Sequence, residues 1–526
     1  MKHKFLIVGG GTAGWMTATL FQRAFPAASI SLIESDTVAT IGVGEGSTPS
    51  LKSFMDAIGA AEHEWMPRCQ ATYKSGISFQ NWSITPGYTE YFHPFFSHFD
   101  RDHIKALEFN SALKRNGKDV HSHPNAFCYS HYLANKKLCP IPPYSFPFEV
   151  QYGYHFDAGL LGQYLKELAI FRGVEWQNAH IKDVVLNENG EVSHLKSDDG
   201  AEFRADFFID CSGFASIITK QALKTPSVSY ADALFNDAAV TILTDQEEEA
   251  STQTISSALP NGWAWTIPLK NRVGNGYVYS SKYSSAKNAE KELRTHLGKI
   301  SEGKEARHLK MQVGRSKTMW NKNCLAVGLS QGFLEPLEAT ALALVQMTLT
   351  RFVKYYTAGN YTNQYADQLN HDIASAFDGV KDYIHTHFLT SNRIDTPYWQ
   401  DCRQNSQAMS DRLKQVIQVW FQNGNLAEVL HKTGLDQHYK INSWIYILSG
   451  MGIFPPADKL SPPSQDELAK VPIASIEDFF KRCTRNHKTQ EEAFSLHLKG
   501  QPVEAASSET KNALEQLIGL GFATSS

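Results

Sequence analysis

Six residues near the start of the chain, Gly9-Gly10-Gly11-Thr12-Ala13-Gly14, have the types and spacing to hold a phosphate. They spell G-x-G-x-x-G between an apolar run, Phe5-Leu6-Ile7-Val8, and a helical stretch, Trp15–Phe25. In that setting the glycines permit a tight turn, let main chain approach a pyrophosphate and pack helix on strand. The positive end of the helix dipole faces the anion. A second apolar run, Ile30–Ile33, ends at Glu34, where an acid is expected to take ribose hydroxyls. The chemistry implied is dinucleotide binding.

Other chemistry-bearing residues are dispersed. Lys74, in Ala71-Thr72-Tyr73-Lys74-Ser75-Gly76, reads by itself as a surface lysine. Buried, it would become a poised amine, because desolvation lowers a lysine pKa. Glu338 stands just before a helix expected from Ala341 and by itself reads as a cap. Beside a cofactor, that strand–loop–helix arrangement is a natural anion site. Tyr91-Phe92-His93-Pro94-Phe95-Phe96 is either core or the wall of a flat apolar pocket. Trp263 and Trp265 alternate in an extended segment, so both rings share one face, as a core layer or as a wall.

The elements that hold these residues follow from periodicity. Three glycines within Ile41-Gly42-Val43-Gly44-Glu45-Gly46 predict a loop that a ligand approaches closely. Ser50–Ile58 reads as a helix, and Ile77 and Phe79 alternate as in a strand. The Pro-, Asn-, His- and Tyr-rich stretch 100–148 reads as irregular structure laid over a core. Strands are expected at 173–176, 181–186 and 205–210, with hairpin chemistry at Glu188–Glu191. The nucleotide-binding unit is therefore discontinuous in sequence. Arg272 and Gly274-Asn275-Gly276-Tyr277-Val278-Tyr279-Ser280 are expected to form a turn and the next strand. From Ala341 onward the pattern is mainly helical.

Composition narrows the class. The 526 residues carry a net charge of −4, which gives no nucleic-acid or membrane-surface signal. No apolar stretch reaches the length of a membrane span. The seven cysteines are scattered without C-x-x-C, as expected of reduced thiols and not of a zinc site. A strand beginning almost at Met1 leaves no room for a signal peptide, so a cytoplasmic protein is expected.

With Trp263-Ala264-Trp265-Thr266-Ile267-Pro268 beside the Gly loop, the chain resembles the flavin-dependent tryptophan halogenases, whose hallmark is W-x-W-x-I-P. The resemblance extends to Ile41–Glu45 as a flavin loop, Lys74 in Tyr-Lys-Ser-Gly, His93 and Phe95, and Phe333–Thr340. Asp395–Trp399 and Gly450-Met451-Gly452 are further matches. It implies an α/β fold: an FAD-binding Rossmann-type module, glutathione-reductase-like, with a mixed-sheet substrate region and a mainly helical C-terminal part. In residues, this means a first FAD-binding part at 1–90, a pocket insertion at 91–150, a second part with substrate sheet at 151–350, and a helical region at 351–526.

The implied activity is halogenation of an electron-rich aromatic ring. Reduced FAD, supplied by a separate flavin reductase, reacts with oxygen, and chloride or bromide leaves as hypohalous acid. Lys74 receives that oxidant, and Glu338 acts beside it. Trp263 and Trp265 wall the flavin off, and His93, Phe95 and Trp263 sandwich the substrate ring. Implied flavin contacts are Gly9, Gly11, Thr12, Ala13, Gly14 and Glu34, then Gly44, Glu45, Val184, Leu329 and Leu342. A single dinucleotide loop, with none for NAD(P)H, fits an outside supply of reduced flavin. A homodimer is a possible assembly.

Two departures stand out. Where the family has Ser-Thr-Gly, this chain has Ala339-Thr340-Ala341. The halide is expected on the Thr340 and Ala341 N–H groups, which Ala341 preserves only if its backbone angles suit alanine. Members that use free tryptophan clamp it with a Tyr pair, a Glu and a Phe-Trp step. Gly434–Lys440 does not match that clamp, so indole, a larger indole derivative or another arene is as strong an expectation. Two rivals remain: a flavin monooxygenase of the same fold class, and a non-catalytic flavin-binding protein with a lapsed halide site.

Overall fold

The computed structural model describes residues 2–37, 45–141, 148–246, 249–485, 487–497 and 507–519. Gly44, with most of the expected flavin loop, lies outside the described residues.

Lys4–Val8 sits at the centre of a six-stranded sheet, between Phe207–Asp210 and Ser29–Glu34, and is parallel to both. Past the exposed Lys4 its residues, Phe5–Val8, are apolar and buried, as in strands covered on both faces. Cys324–Ala326 extends the sheet beyond Phe207–Asp210, and Glu175–Asn178 extends it beyond Ser29–Glu34. Strands some 200 and 320 residues further along the chain thus share one sheet with the first, so this sheet is discontinuous in sequence.

A second sheet of seven strands is antiparallel except where Gln253–Leu259 runs parallel to Gly76–Gln80. It contains Gly262–Pro268, with both tryptophans, and ends at Glu90–Pro94, with His93. A small sheet joins Glu45–Gly46, Gly153–Phe156 and Thr72–Lys74. Only Ser75 separates Lys74 from the large sheet, and its N–H donates to Thr252 O at 2.6 Å. Behind these sheets the chain from Ala341 is helical, led by Ala341–Ala358 and Ala366–Thr390. Among the described residues no helix is long and apolar enough to cross a membrane.

One local expectation needs correction. The stretch 100–148 is not irregular: it contains a 15-residue helix, Arg101–Arg115, and a shorter one, Tyr129–Asn135. Ile104, Leu107, Asn110 and Ser111 form the buried stripe of the longer helix, and two of the four are polar, which hides the period. The expected turn and next strand are found at Leu269–Arg272 and Val273–Tyr279, with Gly274 and Gly276 in the strand. Gly276 is needed for packing: a Cβ there would stand 2.0 Å from Trp265 Cζ2.

Candidate active site

The Gly loop divides its labour. A Cβ on Gly9, which has φ of +115°, would stand 2.2 Å from Cys211 O, and one on Gly14 1.9 Å from Gly9 O. Those two glycines serve the turn and the helix–strand contact. Among the described residues a Cβ on Gly11 would meet nothing within 4 Å, which leaves space there for a ligand. Gly11 is also the N-cap of the helix Thr12–Ala24 and brings no side chain to its first N–H groups. Uncapped donors at a dipole's positive end suit a pyrophosphate. Glu34 Oε1 accepts from Lys166 Nζ at 2.5 Å and from Trp176 Nε1 at 2.8 Å. Its Oε2 lies over Gly10. A Cβ on Gly328 would come within 2.7 Å of the Ala13 methyl, so the turn carrying Leu329 abuts the Gly loop. Val184 packs in the apolar cluster with Leu6, Val8 and Phe208, on the edge strand of a three-stranded sheet. These residues fit a dinucleotide.

Lys74 is fully buried, and among the described residues its Nζ has no hydrogen-bond partner. The bland reading of a surface lysine is thereby excluded. Its Nζ lies 5.4 Å from the centroid of the Phe95 ring. Burial lowers its pKa to about 7, with Glu338 pulling the other way.

Glu338 is not a helix cap; the N-cap is Thr340. Its carboxylate is buried, with Oε1 2.9 Å from His387 Nε2 and Oε2 3.9 Å from His93 Nδ1. Burial opposes ionisation, but His93, His387 and Lys74 outweigh it and hold Glu338 below the usual carboxylate range. Burial, against the pull of Glu338, lowers His93 to about 4, so that ring is neutral. Tyr383 donates its hydroxyl proton to Ser443 O at 3.0 Å and lies 3.3 Å from His93 Nε2. With its own proton committed, Tyr383 accepts there, and His93 carries its proton on Nε2.

Ala339 has φ of +54°, the left-handed turn between the short helix Pro336–Glu338 and the long one from Ala341. Ala341 itself is helical, so alanine costs nothing there and its N–H is retained. Leu342, one residue on, is buried.

The two tryptophans share a face, with ring centroids 6.0 Å apart. Trp263 Nε1–H donates to the buried Glu335 at 2.9 Å, and Asn236 donates to the same oxygen at 2.8 Å. Among the described residues the ring neighbours of His93 are Phe96, Tyr383 and Tyr446, and no ring contact joins it to Phe95 or Trp263. Sequence reasoning missed Tyr383, His387 and Glu335. Tyr383 and His387 are four apart in one helix and so share a face, which was a usable signal. Their distance from Glu338 along the chain gave none.

The chain matches the family model described as tryptophan halogenase over residues 4–464. It is 36% identical over 440 residues to tryptophan 6-halogenase SttH of Streptomyces toxytricini, covering 79% of this chain and 83% of that protein. Over 439 residues it is 35% identical to 7-chloro-L-tryptophan 6-halogenase KtzR of Kutzneria sp. (strain 744), covering 79% and 84%. The solved structure of Tar14, a tryptophan C-6 flavin-dependent halogenase from taromycin biosynthesis, superposes with a TM-score of 0.81 at 30% identity, covering 95% of this chain and 100% of that one. Open Gly loop, buried lysine and paired tryptophans thus coincide with relatives that match nearly from end to end, and the chain belongs to the tryptophan halogenase family.

Proposed function

We propose that this enzyme halogenates an electron-rich aromatic ring, with Lys74 presenting the halogen and Glu338 managing the proton. One observation carries the reading: a wholly buried lysine with a free Nζ, in the electrostatic field of a carboxylate flanked by two imidazoles. Membership of the family brings with it reduced FAD, a halide, an aromatic substrate and a separate flavin reductase.

Reduced FAD, held by the Gly loop, supplies the hypohalous oxidant with oxygen and halide when bound. Glu34 Oε2 is placed for a ribose hydroxyl, and the Thr12, Ala13 and Gly14 N–H groups for the pyrophosphate. The Glu45 and Leu329 segments, the main chain of Val184 and the helix start at Leu342 line the remainder. Chloride or bromide takes the Thr340 and Ala341 N–H groups.

Lys74 Nζ holds the oxidant by hydrogen bond or as a haloamine, in a site that excludes bulk water. Glu338, kept ionised by its neighbours, accepts the proton that the ring loses on halogenation. Phe95 and the His93 cluster face the ring, and Trp263 and Trp265 keep it from the flavin.

Substrate choice follows from charge. The leading charges acting on Lys74, His93 and Glu338 are their own and that of His387. Among the described residues no further ammonium or carboxylate acts on that group to pair with the zwitterionic end of a free amino acid. The preferred substrate is an indole lacking that end, or an indole carried within a larger molecule. The test is product analysis with FADH2, oxygen and halide on free tryptophan, indole and indole derivatives. Hydroxylated product, or one product with and without halide, would reject halogenation; preference for free tryptophan would reject only the substrate assignment.

A further inference from the structure

A protonated Lys74 has three N–H donors, and a buried donor left unmade is expensive. Two side chains with no part in the chemistry above stand beside it. A Cβ built on Gly46 would lie 3.1 Å from Lys74 Nζ, 3.4 Å from Thr254 Oγ1 and 3.6 Å from His155 Cδ2, so all three border one small space. His155 is fully buried, and Thr254 nearly so. Thr72 and Lys74, two apart in a strand, point to the same side, and Thr72 is the register partner of His155.

The direction of each hydrogen bond can be worked out. Thr72 has one hydroxyl proton and donates it to Pro268 O at 2.7 Å. Its oxygen also lies 3.2 Å from His155 Nδ1, so that nitrogen must be the donor. Burial and the nearby Lys74 charge keep His155 neutral. A neutral ring protonated on Nδ1 has a bare Nε2. Nε2 lies 2.9 Å from Thr254 Oγ1, so Thr254 donates its only proton there. What Thr254 has left is lone pairs.

We infer that Thr72, His155 and Thr254 form a one-way hydrogen-bond chain whose open acceptor end, the Thr254 oxygen, borders the same small space as the Lys74 amine, makes no hydrogen bond to it in this structure, and orients it across that space. Thr254 and His155 are positioning residues. The other tautomer of His155 would turn the Thr254 proton outward, toward Lys74, and set donor against donor.

This rests on Lys74 as the halogen-presenting group, but one of its two tests does not. In 15N-histidine-labelled protein at neutral pH, His155, identified by its loss in His155→Gln, is expected to show a protonated Nδ1 and a bare Nε2. The reverse tautomer or an imidazolium would overturn the chain. The second test compares Thr254→Val, of nearly the same shape, with Thr254→Ser. With flavin oxidation continuing, Thr254→Val is expected to release at least fivefold more hypohalous acid to a scavenger per halogenated product, and Thr254→Ser to restore wild-type partition. Wild-type partition in folded Thr254→Val would overturn the positioning role. Should Thr254→Val not fold, the partition in Thr254→Ser and the nitrogen shifts decide: a serine variant as leaky as Lys74→Ala overturns it. If Lys74→Ala still halogenates while His155 shows the expected tautomer, the functional reading has failed and the hydrogen-bond chain has not.

Discussion

Burial separates Lys74 from the exposed lysines of this protein. Near pH 7 its amine lies close to half-protonated, a condition that water would never give it. Replacing it by alanine should reduce halogenated product by at least about 100-fold while flavin oxidation proceeds; product at wild-type levels in a quenched single-turnover assay would remove its role. For Glu338→Gln we expect a loss of about 10²-fold in the same assay, since the amide cannot take the proton. Glu335 yields a different measurement. Burial drives it up to about 7, although the Trp263 and Asn236 donors pull it down. An acid with a raised folded pKa holds its proton in the folded state after the unfolded chain has lost it. Its contribution is therefore full below about 4.5 and disappears as pH climbs through about 7. Glu335→Gln should match wild type at the acid end and exceed it near pH 8, by up to roughly 3 kcal/mol. Parallel plots of Tm against pH would show that Glu335 does not titrate this way.

Elements show where sequence is legible. The first strand, the Gly loop, its helix and Glu34 could be read because the motif lies within one strand–turn–helix unit and the next strand, although Cys211, Lys166 and Trp176, which meet it, come from far along the chain. The helix at Ala341 was equally plain, and its helical backbone there is one that alanine adopts without cost. The helix Arg101–Arg115 was hidden because part of its buried stripe is polar. His387 was hidden because its partner, Glu338, comes from another element, and pairing across 49 residues leaves no periodic trace. The reason for Gly276, the Trp265 ring lying on it, was not legible because it is a contact between strands. Substituting it tests that reason. Gly276→Ala should lower stability by about 1–3 kcal/mol, as overpacking does, and displace Trp265. An unchanged thermal melt would mean that the ring has room to retreat.

At the scale of the whole molecule, the six-stranded sheet carries the dinucleotide loop and the seven-stranded sheet carries the tryptophans and His93. Lys74 stands at their junction, in a small sheet whose other edge is Glu45–Gly46, the described end of the expected flavin loop. Without an outside reductase, the protein should not oxidise NAD(P)H; sustained oxidation by the isolated chain, followed by absorbance at 340 nm, would point to a monooxygenase with its own reductant site. Gly46 gives this layout a further meaning. A methyl there would stand 3.1 Å from the lysine nitrogen and 3.4 Å from the Thr254 oxygen, closer than a carbon comfortably sits. Any side chain at position 46 would therefore crowd the very amine on which the proposed mechanism depends.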